Sequence, residues 1–322
     1  MDYCNMKVTT HIEKNKGKTL FSLEILPPLK GQNINSLYEI LDPVTEFSPA
    51  FIDVTFHREE YEYREVKGGL LERRVVKRRP GTVGICAAIQ SRYKIDAVPH
   101  LLCGGFTKAE TEDALIDLSF LGFDNIVALR GDAIKSEVYF TPETGGNTYA
   151  LDLVRQISAM NRGEYLEESI QGEGSDFCIG VAGYPEKHLE APSIESDIHF
   201  LKKKVEAGAE YVVTQMFFDN EKYFSFVERC RQEGINVPII PGLKPLSTIK
   251  QLNQIPQRFK VDIPDDLVRE VIKAKSPESV KEIGLEWCIN QSRELIRRGA
   301  PVLHFFSNSR TESICRIAAS IF

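Results

Sequence analysis

The sequence predicts an α/β protein that folds as a single-domain (β/α)8 barrel of the TIM type. Three observations support this fold class. Eight short apolar runs recur along the 322 residues, patterns typical of amphipathic helices separate them, and no GxGxxG motif follows the first run. The missing motif argues against an open dinucleotide-binding sheet, the other fold that alternating strands and helices commonly form.

The eight predicted strands are rich in β-branched and aromatic residues. They lie at 19–26, 50–56, 97–103, 124–130, 177–183, 210–217, 237–241 and 301–306. Several are nearly continuous in apolar residues, which is typical of parallel strands that are buried on both faces.

Between the strands, apolar residues are spaced so that they would fall on one face of a helix, and this pattern predicts helices. Thr107 and Glu110 have the spacing of a capping box, and Ile194, Ile198 and Leu201 mark one face of a helix at 194–206. Further helices are predicted near 35–46, 82–94, 147–160, 220–232, 247–254, 265–274 and 278–298. The charged stretch 57–80 and the polar stretch 161–176 are predicted loops. The chain divides into a polar N-terminal arm at 1–18 and the barrel at 19–322.

Composition narrows the class of protein. The formal net charge of -6 gives no bulk attraction for nucleic acid or an anionic membrane. The seven cysteines are widely spaced and contain no CxxC pair, which argues against a disulfide framework and a zinc site. Neither a signal peptide nor an apolar run of membrane-spanning length is present. We therefore expect a cytoplasmic protein without nucleic-acid or membrane partners.

Polar residues stand at the ends of most predicted strands, where a barrel of this type builds its active site. The strongest candidates are Glu24, Asp53, Thr55, His57, His100, Arg130, Gly131, Asp132, Tyr184, Glu186, His188, Thr214, Gln215, Asp219 and His304. No GxSxG nucleophile motif and no HExxH metal motif occurs. The mixture of carboxylate, amide, hydroxyl and imidazole groups favours a bound organic cofactor and no metal.

For several of these residues, the sequence leaves both a structural and a functional role open. Glu24 stands in an apolar strand, where it is either half of an ion pair or a functional group, and the strand-end rule favours function. His100 is a core histidine or a site residue. Arg130 and Asp132 either close a turn with their own salt bridge or hold an anion or heterocycle beside Gly131. The amide of Gln215 bonds either to backbone or to a ligand.

Several segments together resemble the methylenetetrahydrofolate reductase family. They are 21–28 (FSLEILPP), 51–55 (FIDVT), 99–101 (PHL), 126–132 (IVALRGD), 149–150 (YA), 181–188 (VAGYPEKH), 207–209 (AGA), 214–215 (TQ), 217–219 (FFD) and 239–242 (IIPG). Each is weak alone, but they follow the family's order over nearly the whole chain. The family folds as a β8α8 barrel that binds FAD without a Rossmann motif, in agreement with the fold predicted from the strands.

The resemblance implies a function and a set of site residues. It implies that NADH or NADPH reduces FAD, which in turn reduces 5,10-methylenetetrahydrofolate to 5-methyltetrahydrofolate in a ping-pong reaction that supplies methyl groups for methionine synthesis. Glu24 matches the general acid, Asp132 the carboxylate near flavin and folate, and Gln215 an amide that contacts the substrates. The FAD contacts implied are Thr55, His100, Arg130, Gly131, Asp132, Tyr149, Ala150, Tyr184, His188, Asp197, Lys203 and Lys204. A homo-oligomer is expected, because the family forms oligomers.

The chain also departs from the family pattern. Phe200 and Lys203 stand where relatives carry Asn and Arg on the helix that holds the FAD phosphates. Lysine keeps the charge of arginine but loses its bidentate geometry. Eukaryotic relatives carry a second, S-adenosylmethionine-binding domain, and that form of regulation is expected to be absent here. Two alternatives are another barrel flavoenzyme, similar to proline dehydrogenase, and a non-catalytic barrel in a methyl-transfer complex.

Overall fold

Parallel strands form one sheet that curls around a central interior. The computed structural model describes residues 5–170, 172–307 and 311–322. The elements in chain order are α1 (Val8–Lys14), β1 (Leu20–Ile25), α2 (Asn35–Thr45), β2 (Phe51–Val54), β3 (Glu60–Val66), β4 (Leu70–Val76), α3 (Thr82–Tyr93), β5 (Asp96–Leu102), α4 (Lys108–Phe120), β6 (Asn125–Leu129), α5 (Ala150–Asn161), β7 (Cys178–Gly183), α6 (Ile194–Glu206), β8 (Tyr211–Thr214), α7 (Asn220–Gln232), β9 (Ile239–Ile240), β10 (Gly242–Leu243), α8 (Gln251–Phe259), α9 (Asp265–Lys273), α10 (Pro277–Arg297), β11 (Val302–Phe306) and α11 (Glu312–Ile321). The sheet runs β10-β11-β1-β2-β5-β6-β7-β8-β9 over the described residues.

The sheet closes at β9 and β10, of which β9 lies within the seventh predicted strand at 237–241, whereas β10 follows that strand and was not predicted. β9 pairs with β8, whereas β10 pairs with β11. Pro241 separates the two halves and has no N–H to donate, but its carbonyl accepts a hydrogen bond from the backbone of His304 at 3.1 Å. The Gly242 N–H donates to Oγ1 of Thr214 at 3.0 Å. The nine strand segments therefore make one nearly closed parallel barrel, and the predicted fold class is confirmed.

Apolar side chains fill both the layer outside the sheet and the lower interior of the barrel. Leu23 and Ile25 of β1 point outward and belong to a large cluster that also contains helix residues such as Leu37, Leu115 and Leu153. A second cluster lies inside the barrel and contains Phe51, Val98, Val127, Cys178, Tyr211, Ile240 and Val302. Alternation of side chains along each strand produces these two layers, because successive residues point to opposite faces.

A helix in the predicted polar arm covers the amino-terminal end of the barrel. Val8 of α1 is fully buried in the interior cluster, and its backbone N–H donates to Oδ1 of Asn125 at 2.8 Å. His11 of the same helix contacts Oδ2 of Asp96 at 2.6 Å. Met1 to Cys4, the first part of the arm, lie outside the described residues. Residues 8–14 therefore close the end of the barrel that is opposite the strand ends with polar side chains.

Some predicted boundaries and one predicted loop were wrong. Residues 60–76, predicted as loop, form the antiparallel hairpin β3–β4, whose turn uses Gly68 and Gly69 at positive φ. α8 begins at Gln251 and continues through Pro256, although the prediction placed it at 247–254. α11 was not predicted, although Ile314, Ile317 and Ala318 have helical spacing and are buried. In contrast, 162–170 and 172–176 contain no helix or strand, as predicted for that loop.

The six described cysteines, Cys86, Cys103, Cys178, Cys230, Cys288 and Cys315, are free thiols. Cys4 lies outside the described residues. Within the described ranges, no helix combines the length and the apolar character that a membrane span requires.

Two helical glycines provide a test of the packing against the split strand. Gly284 of α10 faces the segment after β10, and a Cβ there would overlap the carbonyl oxygen of Leu246. Gly84 of α3 is exposed, and a Cβ there would meet nothing within 4 Å. We expect Gly284→Ala to lower the free energy of unfolding by about 1–3 kcal/mol, as overpacking does. Gly84→Ala should raise it by roughly 0.5–1 kcal/mol, the usual helix gain.

Chemical denaturation of the two variants, followed by circular dichroism, measures these changes. A stabilising effect of Gly284→Ala would contradict the close contact between α10 and the segment after β10.

Candidate active site

The polar strand ends converge at the carboxyl end of the barrel. In parallel sheets, residues that pair between neighbouring strands point to the same face. Glu24 pairs with Phe306 on one side and with Asp53 on the other, and Asp53 pairs with Val98. Val98 packs in the interior cluster, so Glu24 and Asp53 also point into the barrel. The side chains of Glu24 and Asp53 therefore lie inside the mouth, not among the outward-pointing Leu23 and Ile25.

Glu24 is held by polar neighbours. The Thr55 hydroxyl donates to Oε1 of Glu24 at 2.7 Å and lies 3.1 Å from the carbonyl oxygen of Ile25. Oε2 of Glu24 lies 3.9 Å from Nε2 of His100, and the carboxylate side chain is 20% exposed. The sequence places Glu24 in an apolar strand, but the fold gives it a hydroxyl and an imidazole. The carboxylate is oriented by one oxygen while the other faces His100.

Below Glu24, a buried aspartate lies between two histidines. Oδ2 of Asp53 is 3.4 Å from Nε2 of His100 and 3.9 Å from Nε2 of His304. Nδ1 of His304 contacts the hydroxyl of Ser22 at 2.9 Å. Among the described residues, His, Cys, Asp and Glu side chains form no group of three placed to hold a metal ion. The buried carboxylate of Asp53, the two imidazoles and the Ser22 hydroxyl lie together as groups that can donate or accept hydrogen bonds.

Burial and charge affect the two histidines differently. Burial lowers the pKa of His100, but the hydrogen bond with Asp53 and the charges of Glu24 and Asp53 outweigh it, so the pKa rises above the usual 6.5. For His304, burial dominates the opposing charges of Asp53 and Glu24, and the pKa is lowered. His100 is therefore the histidine that retains a proton inside the barrel.

The end of β6 does not form a closed turn of its own. Nη2 of Arg130 donates to Oε1 of Glu190 at 2.8 Å, and its guanidinium lies over the ring of Phe140, 5.0 Å from the centroid. Asp132 is 81% exposed and lies 3.8 Å from Arg258. The alternative in which Arg130 and Asp132 pair with each other is therefore wrong. Gly131 has φ +87°, a conformation that other residues rarely adopt.

A second group of predicted residues lies beyond β7. The rings of Tyr184 and His188 are 4.7 Å apart, and the backbone N–H of His188 donates to Oδ2 of Asp197 at 2.7 Å. Nζ of Lys204 donates to the carbonyl oxygen of Ala182 at 2.9 Å. Burial lowers the pKa of Lys204 to about 8, opposed by the charge of Asp197. Nδ1 of His188 accepts from the backbone of Glu190, the partner of Arg130.

Tyr149 and Lys203 are less enclosed. Tyr149 is the residue before α5 and is 61% exposed, while Ala150 is the first residue of that helix. Lys203 lies over the ring of Phe200, 5.3 Å from its centroid, and Phe200 is 53% exposed. The two positions that depart from the family pattern thus contact each other on the outer side of α6.

Gln215 follows β8, and its side-chain oxygen bonds to backbone, one of the two alternatives that the sequence left open. Its Oε1 accepts from the backbone N–H of Met216 at 3.0 Å, and its own backbone N–H donates to Gly183 at 2.8 Å. The amide nitrogen of the side chain bonds to no described residue. That nitrogen is available to a ligand at the mouth.

Two residues of the mouth were not predicted. Arg58 donates to Glu137 at 3.1 and 3.3 Å and so fixes the loop after β6. Lys244 follows β10, and the register Gly242 with His304 aligns it with Phe306 and hence with Glu24. Burial lowers the pKa of Lys244, with the charge of Glu24 opposing. Arg58 lies in a charged stretch with no distinguishing signal, whereas Lys244 could be found from strand register.

The chain is thus a parallel β/α barrel with polar and charged side chains at the carboxyl ends of its strands. Residues 7–321 match the family described as methylenetetrahydrofolate reductase. The chain belongs to the methylenetetrahydrofolate reductase family, as the motifs at the strand ends predicted.

Curated relatives agree with this assignment. The 5,10-methylenetetrahydrofolate reductase of Salmonella typhimurium is 32% identical over 300 residues, which cover 92% of this chain and 88% of the relative. Methylenetetrahydrofolate reductase (NADH) 1 of Arabidopsis thaliana is 32% identical over 314 residues, covering 94% of this chain and 48% of the relative. The chain therefore spans about half the length of the plant relative and most of the bacterial one.

A solved structure shows the same fold at low sequence identity. It is an uncharacterized protein from Clostridium thermocellum, described as binding two copies of 5-methyl-5,6,7,8-tetrahydrofolic acid. The TM-score is 0.60 at 16% identity, and the match covers 97% of this chain and 96% of that chain.

Glu186, near the end of β7, gives the mouth a pH-dependent stability. Its Oε2 accepts from the backbone N–H of Asp262 at 3.1 Å, while its Oε1 has no partner among the described residues. Burial raises the pKa of Glu186 from its usual 4.5 to about 7. Between these two values, the folded chain keeps a proton that the unfolded chain releases, so the free energy of unfolding falls as pH rises.

Glu186→Gln should remove this fall in the free energy of unfolding with rising pH, because glutamine stays neutral at every pH. We expect the melting temperature of the variant to equal that of the native protein near pH 4.5 and to exceed it increasingly up to pH 7. Glu206→Gln, at an exposed position at the end of α6, is the matched control and should show no such trend. A constant difference across pH would contradict the elevated pKa of Glu186.

Proposed function

We propose that this protein reduces 5,10-methylenetetrahydrofolate to 5-methyltetrahydrofolate with NADH or NADPH, using FAD as its resident cofactor. The observation that carries the proposal is the placement of Glu24. Its carboxylate lies inside the mouth of a barrel of this family, with Oε1 bound by Thr55 and Oε2 facing His100. A carboxyl group that is oriented yet reachable from the mouth is suited to donate a proton to a bound substrate.

The residues around the strand ends fit an anionic dinucleotide. Arg130 supplies a planar cation beside Gly131, whose missing side chain permits close backbone approach. Ala150 is the first residue of α5, and a helix start favours negative charge, although the N–H of the preceding Tyr149 already donates to Oδ2 of Asp152 at 3.0 Å. Lys204 adds a buried ammonium that reaches the carbonyl of Ala182. These groups support FAD as the ligand.

The other cofactor contacts in the proposal extend this surface. Tyr184 and His188 form an edge-to-face pair next to Arg130, and Asp197 fixes the backbone of His188. Lys203, stacked on Phe200, adds charge at the outer end. When bound, FAD accepts a hydride from the nicotinamide and delivers one to the folate.

Glu24 acts on the folate in this proposal. The five-membered ring that carries the methylene group opens only when the departing nitrogen gains a proton, so an acid is required. Thr55 donates to Oε1, which leaves Oε2 as the oxygen that carries the proton. Gln215 offers its side-chain N–H groups to the substrate, and Asp132, exposed at the end of β6, supplies negative charge beside the mouth.

The relatives support the substrate class. The bacterial relatives carry the name of this reaction, and the Clostridium thermocellum protein is described as binding 5-methyltetrahydrofolic acid. Plant and nematode relatives are named as NADH and NADPH enzymes respectively, so the proposal includes either nucleotide. We extend it to a cytoplasmic homo-oligomer that supplies methyl groups for methionine synthesis. The family match argues against the alternative similar to proline dehydrogenase.

Glu24→Gln separates the two halves of the proposed reaction. Glutamine keeps an oxygen for the Thr55 hydrogen bond but cannot donate the required proton. We expect folate reduction to fall by about 100-fold or more, the usual contribution of a general acid. Oxidation of NAD(P)H with an artificial electron acceptor should stay within about twofold of native.

Steady-state assays of both activities on the purified protein make this comparison. Equal loss of both activities with native flavin content would show that Glu24 does not act on the folate. A native protein that lacks flavin absorbance and NAD(P)H oxidation would instead support the non-catalytic alternative.

Lys204→Met tests the proposed cofactor site. Methionine fills the buried space without the charge, and hydrogen bonds to charged groups contribute about 1.5–3 kcal/mol. We therefore expect the dissociation constant for FAD to rise by roughly 10- to 100-fold. Lys202→Met, two positions earlier on α6, is the control and should bind FAD as the native protein does. Fluorescence titration of the apoprotein with FAD measures both, and unchanged affinity in Lys204→Met would place the phosphates elsewhere.

A further inference from the structure

A sealed acid–base pair lies directly beneath Glu24. Asp53 is 1% exposed, and its Oδ2 is 3.4 Å from Nε2 of His100. The same Nε2 lies 3.9 Å from Oε2 of Glu24, the oxygen that Thr55 leaves free. One imidazole nitrogen thus faces two carboxylates, one sealed inside the barrel and the other at the mouth.

We propose that Asp53 holds a proton on Nε2 of His100 and that His100 passes this proton to Oε2 of Glu24 during turnover. The inference rests on the proposed function, because it assigns a source for the proton that Glu24 delivers. Asp53 and His100 are positioning residues in this scheme, since they act on the substrate only through Glu24.

Burial explains why Asp53 needs a charged partner. An ionised carboxylate inside a protein is strongly unfavourable unless it is paired. Oδ1 of Asp53 has no hydrogen-bond partner among the described residues, so Oδ2 and its histidine neighbours provide the stabilisation. Of those histidines, His304 has a lowered pKa and already uses Nδ1 on Ser22. His100 is therefore the cation that balances Asp53.

The charged and titratable groups around His100 favour a proton on its ring between Asp53 and Glu24. The charged groups that face His100 are Glu24 from β1 and Asp53 from β2. The other titratable groups around Asp53 are His304 from β11, Tyr211 from β8 and Cys86 from α3, and burial favours the neutral form of all three. Lys244, after β10, faces Glu24 from the opposite side.

The transfer requires only one proton movement. The N–H bond at Nε2 of His100 breaks, its electron pair stays on the nitrogen, and an O–H bond forms at Oε2 of Glu24. The 3.9 Å separation exceeds hydrogen-bond length, so the end of the Glu24 side chain must rotate toward His100 by about 1 Å. When the mouth reopens, Glu24 takes a proton from water and returns it to His100. No oxidant or additional reactant is needed.

The arrangement suits a reaction in which the substrate covers the acid. A folate bound over the mouth would separate Glu24 from solvent, whereas His100 approaches from the interior side. Nδ1 of His100 bonds to no described residue, so the same ring can contact the cofactor as well. The proton transfer uses Nε2 of His100, whereas the contact with the cofactor uses Nδ1.

Asp53→Asn tests the pair, and the chain provides a matched control. Asp96, at the start of β5, contacts Nε2 of His11 at 2.6 Å at the opposite end of the barrel. Asp96→Asn also removes a partly buried aspartate from a histidine, but far from the mouth. Both variants are assayed as full-length protein loaded with FAD, after circular dichroism has shown that they are folded.

The first measurement is independent of any enzymatic activity. Histidine ring nitrogens are followed by ¹⁵N NMR between pH 5 and 9, and the His100 signals are assigned by their loss in His100→Gln. We expect His100 to remain an imidazolium above pH 6.5 in the native protein and in Asp96→Asn, and to lose its proton below pH 6.5 in Asp53→Asn. A native His100 that is neutral at pH 6 would overturn the inference, even if Asp53→Asn does not fold.

The second measurement is the pH profile of folate reduction. In Asp53→Asn we expect the alkaline decline to move to lower pH, with a loss of about tenfold or more at pH 7.5, while acceptor-linked NAD(P)H oxidation stays within about twofold. An unchanged profile in folded Asp53→Asn would overturn the relay. If the native protein does not reduce the folate, the proposed function fails together with the relay, and the NMR titration still decides whether Asp53 holds a proton on His100.

Discussion

Closure of the parallel sheet is the constraint on which the rest of the structure depends. The two edges of the sheet meet within the segment 239–243, where Pro241 divides β9 from β10. Because β9 pairs with β8 and β10 pairs with β11, strands from both ends of the chain enclose one interior. Closure removes exposed sheet edges and brings all the carboxyl ends of the strands to one rim. Glu24 and Gln215, far apart in sequence, share a mouth for this reason.

The enclosed interior is divided by polarity. Its lower part is apolar and is covered by Val8 of α1, whereas its upper part contains Asp53, His100 and His304. Burying these polar groups costs free energy, and natural proteins keep such groups when they are hydrogen-bonded or functional. The cost is concentrated directly below Glu24, where the proposed reaction needs a proton. The layer of the barrel in which buried polar groups cost free energy of folding is therefore also the layer that would supply the proton in the proposed reaction.

Loops complete the mouth with contacts that link distant segments. Arg58, after β2, binds Glu137 in the loop after β6, and Arg130 binds Glu190 in the loop after β7. Phe140 lies between the two guanidinium groups, 5.6 Å from that of Arg58 and 5.0 Å from that of Arg130. These contacts orient the rim without using the groups on the barrel floor.

Local sequence was sufficient to predict much of this protein. Alternating strand and helix patterns identified the strands of the barrel apart from the short β10, because continuous apolar runs are typical of buried parallel strands. Family motifs at the strand ends pointed to the reductase family, which the match over residues 7–321 shows. The hairpin β3–β4 was missed because its strands are charged on both faces, and α1 because its single buried anchor, Val8, lies in a polar stretch.

Only the tertiary structure decided which polar groups are partners. Arg130 lies two positions from Asp132 in the chain, yet it pairs with Glu190, because the loop after β7 folds back over the end of β6. Glu24, Thr55, His100 and Asp53 come from three different strands or the turn after one, and strand register sets their distances. By itself, the sequence determined most strands of the barrel, most of the helices between them and the family to which the chain belongs. The partners of that acid depend on long-range pairing, since hydrogen bonds between strands fix positions that no local pattern contains.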